Sequence, residues 1–328
     1  MTRRAGRTRD RGAPRAAAVR GRLRRLPAGR SAGEAAEALP SGPLEAEHRT
    51  LEIGLRTWVE RQTSQRLGYV EQLYTFGDRD RVMGDGAGDA APALPALVVA
   101  YLALVREAGS GDTDTGDAEW RGWYRYFPWE DWREGKPALL EPLEARLEAW
   151  ADAAEGEPER RLRAERLGLA FGRHGASWNE ELVLERYELL YEAGLVAEAA
   201  RDVGRPATML DGGVAGVAMA SDHRRILATA IGRLRGKIKY RPVVFELMPP
   251  AFTLLQLQRT VEALAGVRLH KQNFRRLVEQ QGLVEETGAM SAATGGRPAR
   301  LVRFRREVLL ERPAPGLRLR PGRRAAVG

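Results

Sequence analysis

Residues 253–283 read TLLQLQRTVEALAGVRLHKQNFRRLVEQQGL, and this stretch decides the fold of the C-terminal third. Thr253 precedes a run of apolar residues at helical spacing and is suited to cap a helix there. Gly266 is placed to end that helix, since glycine readily adopts the left-handed conformation of a helix C-terminus. A second helix follows after a short turn, so the sequence predicts two helices joined as in a helix-turn-helix.

The second helix has an apolar side and a polar side. The inward stripe is formed by Phe274, Leu277 and Val278. The outward side carries groups able to reach base edges or phosphates in a major groove, namely Lys271, Gln272, Asn273, Arg275 and Arg276. We predict base contacts from Gln272, Asn273 and Arg276, and phosphate contacts from Lys271 and Arg275.

A β-hairpin is predicted after this helix. Leu283-Val284 suggests a short strand, Gly295-Gly296-Arg297-Pro298 a loop tip, and Leu301–Phe304 the return strand. Such a hairpin is typical of the wing of a winged helix, and Arg297 and Arg300 near its tip are predicted to contact phosphate. The alternative is a basic helical hairpin that mediates oligomerisation, with its arginines solvated.

Upstream of this region, Ser221 and Asp222 are candidate caps for an amphipathic helix. The residues 237–250 that follow are rich in β-branched side chains and close with two prolines. They suggest a connector with a short extended stretch.

Charge is distributed unevenly along the 328 residues. Residues 1–40 hold 11 Lys+Arg against 3 Asp+Glu, residues 41–219 hold 20 against 33, and residues 220–328 hold 22 against 8. Clustered cations favour a polyanion because phosphate binding releases counterions, so the C-terminal third is the natural polyanion surface. The alternative is a charge bias that only keeps the protein in solution, and the motifs must decide between the two.

Several classes of protein are disfavoured by composition. The chain has no cysteine, which excludes disulfides and thiolate metal sites, and no apolar run approaches a membrane span. The arginine-rich start lacks the apolar segment of a secretory signal. We therefore expect a cytoplasmic, nucleoid-associated protein with no membrane partner.

The segment from Gly42 to Thr63 resembles the box of the Nudix family. In the family pattern Gly42, Arg56, the apolar Trp58 and Glu60 are in register. The family's other positions, three glutamates and a glycine, are replaced here by His48, Thr57, Arg61 and Thr63.

Nudix hydrolysis needs several carboxylates on one helix face to hold Mg²⁺ against a diphosphate. Only Glu60 remains of the helical set, so no metal site and no required cofactor are expected, and the chain is not expected to be an active enzyme. Arg56 and Glu60 are spaced to pair along the helix, and they are the predicted ligand-binding residues.

The remaining middle of the chain divides into two parts. Residues 67–78 and 97–105 are predicted strands beside the Nudix helix, the second of them buried. The aromatic segment 120–132 suits a core or dimer interface better than a stacked ligand. Three amphipathic helices are predicted at 140–150, 160–172 and 179–193.

Taken together, the degenerate box, residues 69–78, residues 222–240 and Asn273-Phe-Arg-Arg276 are similar to the Nudix-related transcriptional regulators of NAD metabolism. The resemblance covers roughly residues 41–312. It implies an α/β Nudix-like domain fused to an α+β winged helix-turn-helix, a homodimer, a double-stranded DNA operator, and repression relieved by ADP-ribose or a related nucleotide as effector.

The predicted organisation has five parts: a basic arm (1–40), a Nudix-like domain (41–140), a helical extension or dimer surface (141–219), the winged helix-turn-helix (220–312) and a basic tail (313–328). The arm does not show the opening strand expected of a Nudix sheet. The alternative function is a Nudix hydrolase of nucleoside diphosphate derivatives such as ADP-ribose.

Overall fold

The computed structural model describes residues 18–22, 37–63, 66–82, 95–106, 118–204, 215–291 and 298–317. The rest of the basic arm up to residue 36, residues 83–94 and 107–117, and residues 318–328 lie outside the described residues, as does Arg297 at the predicted wing tip.

Helices dominate the described part of the chain from residue 140 onward. The α-helices are α1 (Leu51–Thr63), α2 (Leu140–Asp152), α3 (Glu157–Phe171), α4 (Val183–Glu192), α5 (Ala197–Asp202), α6 (His223–Tyr240), α7 (Leu254–Ala265), α8 (Lys271–Gln280) and α9 (Val308–Glu311). Short 3-10 helices occur at Trp123–Arg125, Pro128–Glu130 and Val243–Leu247.

The described strands form three antiparallel pairs. These are β1 (Ala18–Arg22) with β4 (Ala118–Gly122), β2 (Tyr69–Val82) with β3 (Pro95–Leu104), and β5 (Val284–Ser291) with β6 (Ala299–Phe304). The mixed α/β character predicted for the chain is confirmed.

One hydrophobic cluster runs from Leu104 to Leu317 and contains residues of the aromatic segment, the central helices and the C-terminal domain. Trp123, Tyr126, Phe127 and Trp129 are all buried in it. The interpretation of the aromatic segment as core is confirmed. The helical part and the C-terminal part share this core, and the domain boundaries given above stay predictions.

A smaller cluster attaches the β2–β3 hairpin to the rest. Leu73 and Ala100, one from each strand, pack with Ile226 of α6. Tyr69 and Glu71 of β2 also contact Lys237 on the same helix, with a Lys237 Nζ to Tyr69 Oη distance of 2.6 Å. The long helix α6 therefore carries the hairpin on one side.

The structure corrects several sequence-based expectations. The basic arm contains strand β1, which alternation of apolar residues did not reveal because three of its five residues are Arg or Gly. The connector 237–250 is not extended: α6 continues to Tyr240, and a 3-10 helix follows at Val243–Leu247. Strand β3 is buried on one face only, since Leu97 is 72% exposed.

The three amphipathic helices of the middle region are confirmed as α2, α3 and α4. Across the described ranges, no helix combines the length and apolarity needed to cross a membrane. Within the same residues, no group of three or more His, Asp or Glu side chains is arranged to hold a metal ion.

Candidate nucleic-acid interface

Helix α7 begins with the cap that the sequence predicted. Thr253 Oγ1 accepts a hydrogen bond from the Gln256 backbone N–H at 3.2 Å, and the Gln256 side chain accepts one from the Thr253 N–H at 2.7 Å. This reciprocal capping box satisfies two N–H groups that the first turn of a helix leaves without a partner. The start of α7 is therefore fixed by local sequence.

The same helix ends at Gly266, whose φ of +71° is left-handed. A side chain at this position would collide with its surroundings, because a Cβ would lie 2.4 Å from the Glu130 carbonyl oxygen. Both the backbone conformation and the close approach require glycine. The turn to α8 then spans residues 266–270.

Helix α8 has one buried side and one open side. Phe274 and Val278 are buried against the core and Leu277 is partly buried, which confirms the predicted inward stripe. The predicted DNA-contacting side chains of this helix, Lys271, Gln272, Asn273, Arg275 and Arg276, are all exposed. Among the described residues none of the five has a hydrogen-bond or ion-pair partner, so their donors and acceptors are available.

Strands β5 and β6 form the predicted hairpin directly after α8. The hairpin is joined back to the start of α7, since Phe252 and Val302 exchange backbone hydrogen bonds of 2.9 and 2.8 Å. Leu283, just before β5, is buried, and its carbonyl accepts a hydrogen bond from the Arg305 N–H. These contacts hold the hairpin beside the two helices as a wing.

The wing carries both signs of charge. Arg300 is paired with Glu286 across the hairpin at 2.5 Å, and Arg303 is paired with Glu285 at 2.5 Å. The Arg300 and Glu286 side chains are 71% and 61% exposed, and pairs this exposed contribute little stability. Arg300 can therefore exchange its carboxylate partner for a phosphate at small cost.

The Nudix-like segment contains helix α1, and Gly42 before the helix contacts Trp58 within it. Gly42 lies against the Trp58 ring, and a Cβ there would approach the ring to 2.2 Å. The Trp58 indole N–H donates to the Pro43 carbonyl at 2.8 Å, while the guanidinium of Arg61 lies over the Trp58 ring at 4.9 Å. Gly42 and Trp58, both in register with the family pattern, thus depend on one another.

Arg56 does not form the pair with Glu60 that its spacing suggested. Its guanidinium pairs with Glu52 at 2.8 Å instead, and donates to the Leu67 carbonyl at 2.6 Å and the Gly68 carbonyl at 3.3 Å. The Glu52 carboxylate, one turn earlier in α1, and the two carbonyls just before β2 together occupy this guanidinium. Glu60 is exposed and has no ion-pair partner among the described residues.

A cluster of three buried charged residues beside the end of α7 was not predicted from the sequence. Glu130 accepts from Arg186 Nε at 2.5 Å and from an Arg235 terminal nitrogen at 2.6 Å, and all three side chains are buried. Burial alone raises the pKa of Glu130, but the two guanidinium groups outweigh it and hold the pKa below its ordinary value. Arg186 and Arg235 lie 56 and 105 positions after Glu130 in the sequence, so no local pattern indicates these pairs.

Two helices joined by a tight turn, followed by a hairpin that pairs with the residue before the first helix, define the winged helix class of DNA-binding domains. Residues 244–304 match the sequence profile of the NrtR DNA-binding winged helix domain. Residues 244–304 therefore form a winged helix similar to that of NrtR, and the winged helix predicted for this part of the chain is confirmed.

One curated relative is similar over part of the chain. The ADPR responsive transcriptional repressor NtrR of Acinetobacter baylyi is 44% identical over 86 residues. That alignment covers 26% of this chain and 34% of the repressor, so the chain matches about a third of that relative's length.

Two solved structures of NrtR from Shewanella oneidensis are also similar. One is complexed with a 27mer DNA, is 20% identical and has a TM-score of 0.43. The other is NrtR alone, which is 21% identical with a TM-score of 0.44, and in both cases the match covers 84% of this chain and 82% of the other.

Proposed function

We propose that this protein is a DNA-binding transcriptional repressor that reads an operator with α8 and senses ADP-ribose or a related nucleotide through its Nudix-like segment. The observation that carries the proposal is the outer face of α8. Five exposed polar side chains without partners in the described structure occupy it, opposite the buried Phe274 and Val278.

The chemistry of this face suits duplex DNA. Arginine and lysine donate to the acceptors of guanine, and asparagine and glutamine can bond adenine bidentately in the major groove. We assign base contacts to Gln272, Asn273 and Arg276 and phosphate contacts to Lys271 and Arg275. Arg300 on the wing and Arg297, which lies outside the described residues, are the further proposed phosphate contacts.

The effector and the regulated genes are proposed on different grounds. The Acinetobacter relative is by its name ADPR responsive, and the resemblance of this chain to regulators of NAD metabolism points to genes of that metabolism. Arg56 and Glu60 are proposed to contact the ligand, because Arg56 remains one-third exposed and Glu60 lies one turn further along α1. A homodimer reading two half-sites, acting at the nucleoid in the cytoplasm, completes the proposal.

A continuous series of contacts supports coupling between the two sites. Arg56 of α1 holds the carbonyls of Leu67 and Gly68, and the next residue, Tyr69, joins Lys237 of α6. Helix α6 in turn packs against α7. An effector that binds more tightly to the form unable to hold DNA would release the operator, because the two binding equilibria are linked.

The test begins with selection of a preferred duplex from a random DNA pool by the purified protein. Fluorescence anisotropy at fixed salt then gives the affinity for that duplex with ADP-ribose, with AMP as a control nucleotide, and with neither. Salt is fixed because phosphate contacts make affinity steeply dependent on it. We expect ADP-ribose, and not AMP, to weaken binding.

The same protein is assayed for magnesium-dependent release of AMP from ADP-ribose. Hydrolysis without any preferred duplex would replace the proposal with the Nudix hydrolase alternative. A preferred duplex whose affinity is indifferent to ADP-ribose would refute the sensing part alone. For the ligand contacts, Glu60→Gln is compared by calorimetry with Glu47→Gln, a matched change at an exposed glutamate before α1; only the former is expected to weaken ADP-ribose binding.

A further inference from the structure

The end of α7 and the turn after it are held by donors that belong to another part of the chain. The Tyr124 hydroxyl donates to the Ala263 carbonyl at 2.7 Å, and Arg235 Nε donates to the Leu264 carbonyl at 3.1 Å. The Trp132 backbone N–H donates to the Gly266 carbonyl at 2.7 Å. Tyr124, Trp132 and Arg235, here called the turn clamp, all lie outside the matched winged helix residues 244–304.

These bonds fall where the helix needs them. The last four carbonyls of an α-helix have no partner within the helix, and most are left to water or to local caps. A cation there is also favoured by the negative end of the helix dipole. The winged helix alone does not supply these partners, so the geometry of its turn depends on the preceding part of the chain.

Arg235 of the clamp makes further hydrogen bonds to the surrounding chain. Arg235 is buried, and its remaining nitrogens donate to Glu130 Oε2, the Glu180 carbonyl, the Glu130 carbonyl and the Tyr124 hydroxyl at 2.6 to 3.4 Å. Glu130 is fixed in turn by Arg186. Burial raises the pKa of Tyr124 although Arg235 opposes the shift, so the phenol keeps its proton and can donate to Ala263.

We infer that Tyr124 and Arg235 are positioning residues for DNA recognition, which fix the direction in which α8 leaves the turn. The inference rests on the proposed DNA binding. Only residues 267–270 separate the last clamped carbonyl, that of Gly266, from the first residue of α8. A side chain at position 266 would collide with Arg235 and Tyr124. A small change in the turn therefore reorients the whole exposed face of α8, which carries the proposed DNA contacts.

Tyr124→Phe tests this with a minimal change, because it removes the hydroxyl and keeps the ring. Losing the bond to the Ala263 carbonyl, together with the longer bond that the hydroxyl accepts from Arg235, lets the turn leave its DNA-competent position part of the time. We expect about fivefold weaker binding to the selected duplex and little change on a scrambled duplex. Hydrogen exchange followed by mass spectrometry should show faster exchange in residues 263–270.

Tyr126→Phe is the matched control. It is the same substitution two residues away, and its hydroxyl bonds Glu37 rather than the turn. It is expected to leave the affinity ratio between selected and scrambled duplexes, and exchange in residues 263–270, as in the parent protein. Thermal unfolding of both variants separates a change in positioning from a general loss of stability.

Faster exchange in the turn with an unchanged affinity ratio would overturn the inference, because the turn would then loosen without affecting recognition. Unchanged exchange would overturn it as well, since the clamp would not hold the turn. Both outcomes differ from failure of the proposed function, in which the parent protein itself prefers no duplex.

Discussion

Glu130→Gln is expected to be strongly destabilising, because Glu130 neutralises two buried arginines. Its carboxylate accepts from Arg186 Nε at 2.5 Å, from another Arg186 nitrogen at 2.9 Å and from Arg235 at 2.6 Å. Glutamine keeps the shape, removes the charge and turns one acceptor into a donor that faces a guanidinium group. Breaking a buried ion pair by removing one partner typically costs about 3–5 kcal/mol.

The matched control is Glu134→Gln, four residues along the same segment. Glu134 also pairs with an arginine, Arg268 at 3.1 Å, but these side chains are 84% and 70% exposed. Exposed pairs contribute about 0–1 kcal/mol. Urea titrations followed by circular dichroism at neutral pH give the free energy of unfolding of each variant. The loss relative to the parent protein should be several-fold larger for Glu130→Gln than for Glu134→Gln.

The stabilisation that Glu130 provides should depend on pH in a definite direction. The pKa of Glu130 is lower in the folded protein than its ordinary value, so the folded state binds fewer protons at this group than the unfolded chain does. The stabilisation is fully present above the ordinary glutamate pKa and is lost as pH falls through the folded value. The parent protein's advantage over Glu130→Gln should therefore shrink as pH falls from the ordinary glutamate pKa through the folded value. If Glu130→Gln costs no more than Glu134→Gln at neutral pH, the argument from buried charge is wrong.

Three further predictions concern the winged helix. Phe274→Ala, which empties a buried aromatic site under α8, should cost about 3–5 kcal/mol in the urea titration and abolish DNA binding. Thr253→Ala removes one half of the capping box and should cost about 1 kcal/mol, whereas an unchanged urea midpoint would show that the cap is dispensable. Lys271→Ala should weaken selected and scrambled duplexes alike and reduce the slope of log affinity against log salt by about 1; a loss confined to the selected duplex would instead make Lys271 a base contact.

The winged helix could be predicted from sequence because its determinants are local. Thr253, Gly266 and the stripe through Phe274 and Val278 each act within one or two helical turns, and all appear in the structure where the sequence placed them. The exposed face of α8 follows from the same periodicity. Its contacts with DNA stay a prediction.

Long-range pairing could not be predicted in the same way. Glu130, Arg186 and Arg235 are buried as a charged cluster, although charged residues are rarely buried and nothing in their neighbourhoods reveals the partner. Arg56 likewise binds backbone carbonyls at 67 and 68, which only the path of the chain after α1 brings within reach. Strand β1 was missed because its pairing with β4 spans about a hundred residues and its sequence, AVRGR, carries little strand signal.

The most direct measurement compares the parent protein with Arg276→Ala on the selected and scrambled duplexes, by anisotropy at fixed salt. Arg161→Ala on α3, at a side chain 79% exposed, is the matched control. A bidentate base contact is worth about 1–3 kcal/mol of discrimination, so Arg276→Ala should lose about 5- to 150-fold of the preference for the selected duplex while Arg161→Ala keeps it. An Arg276→Ala protein with undiminished preference would contradict the assignment of α8 as the reading helix.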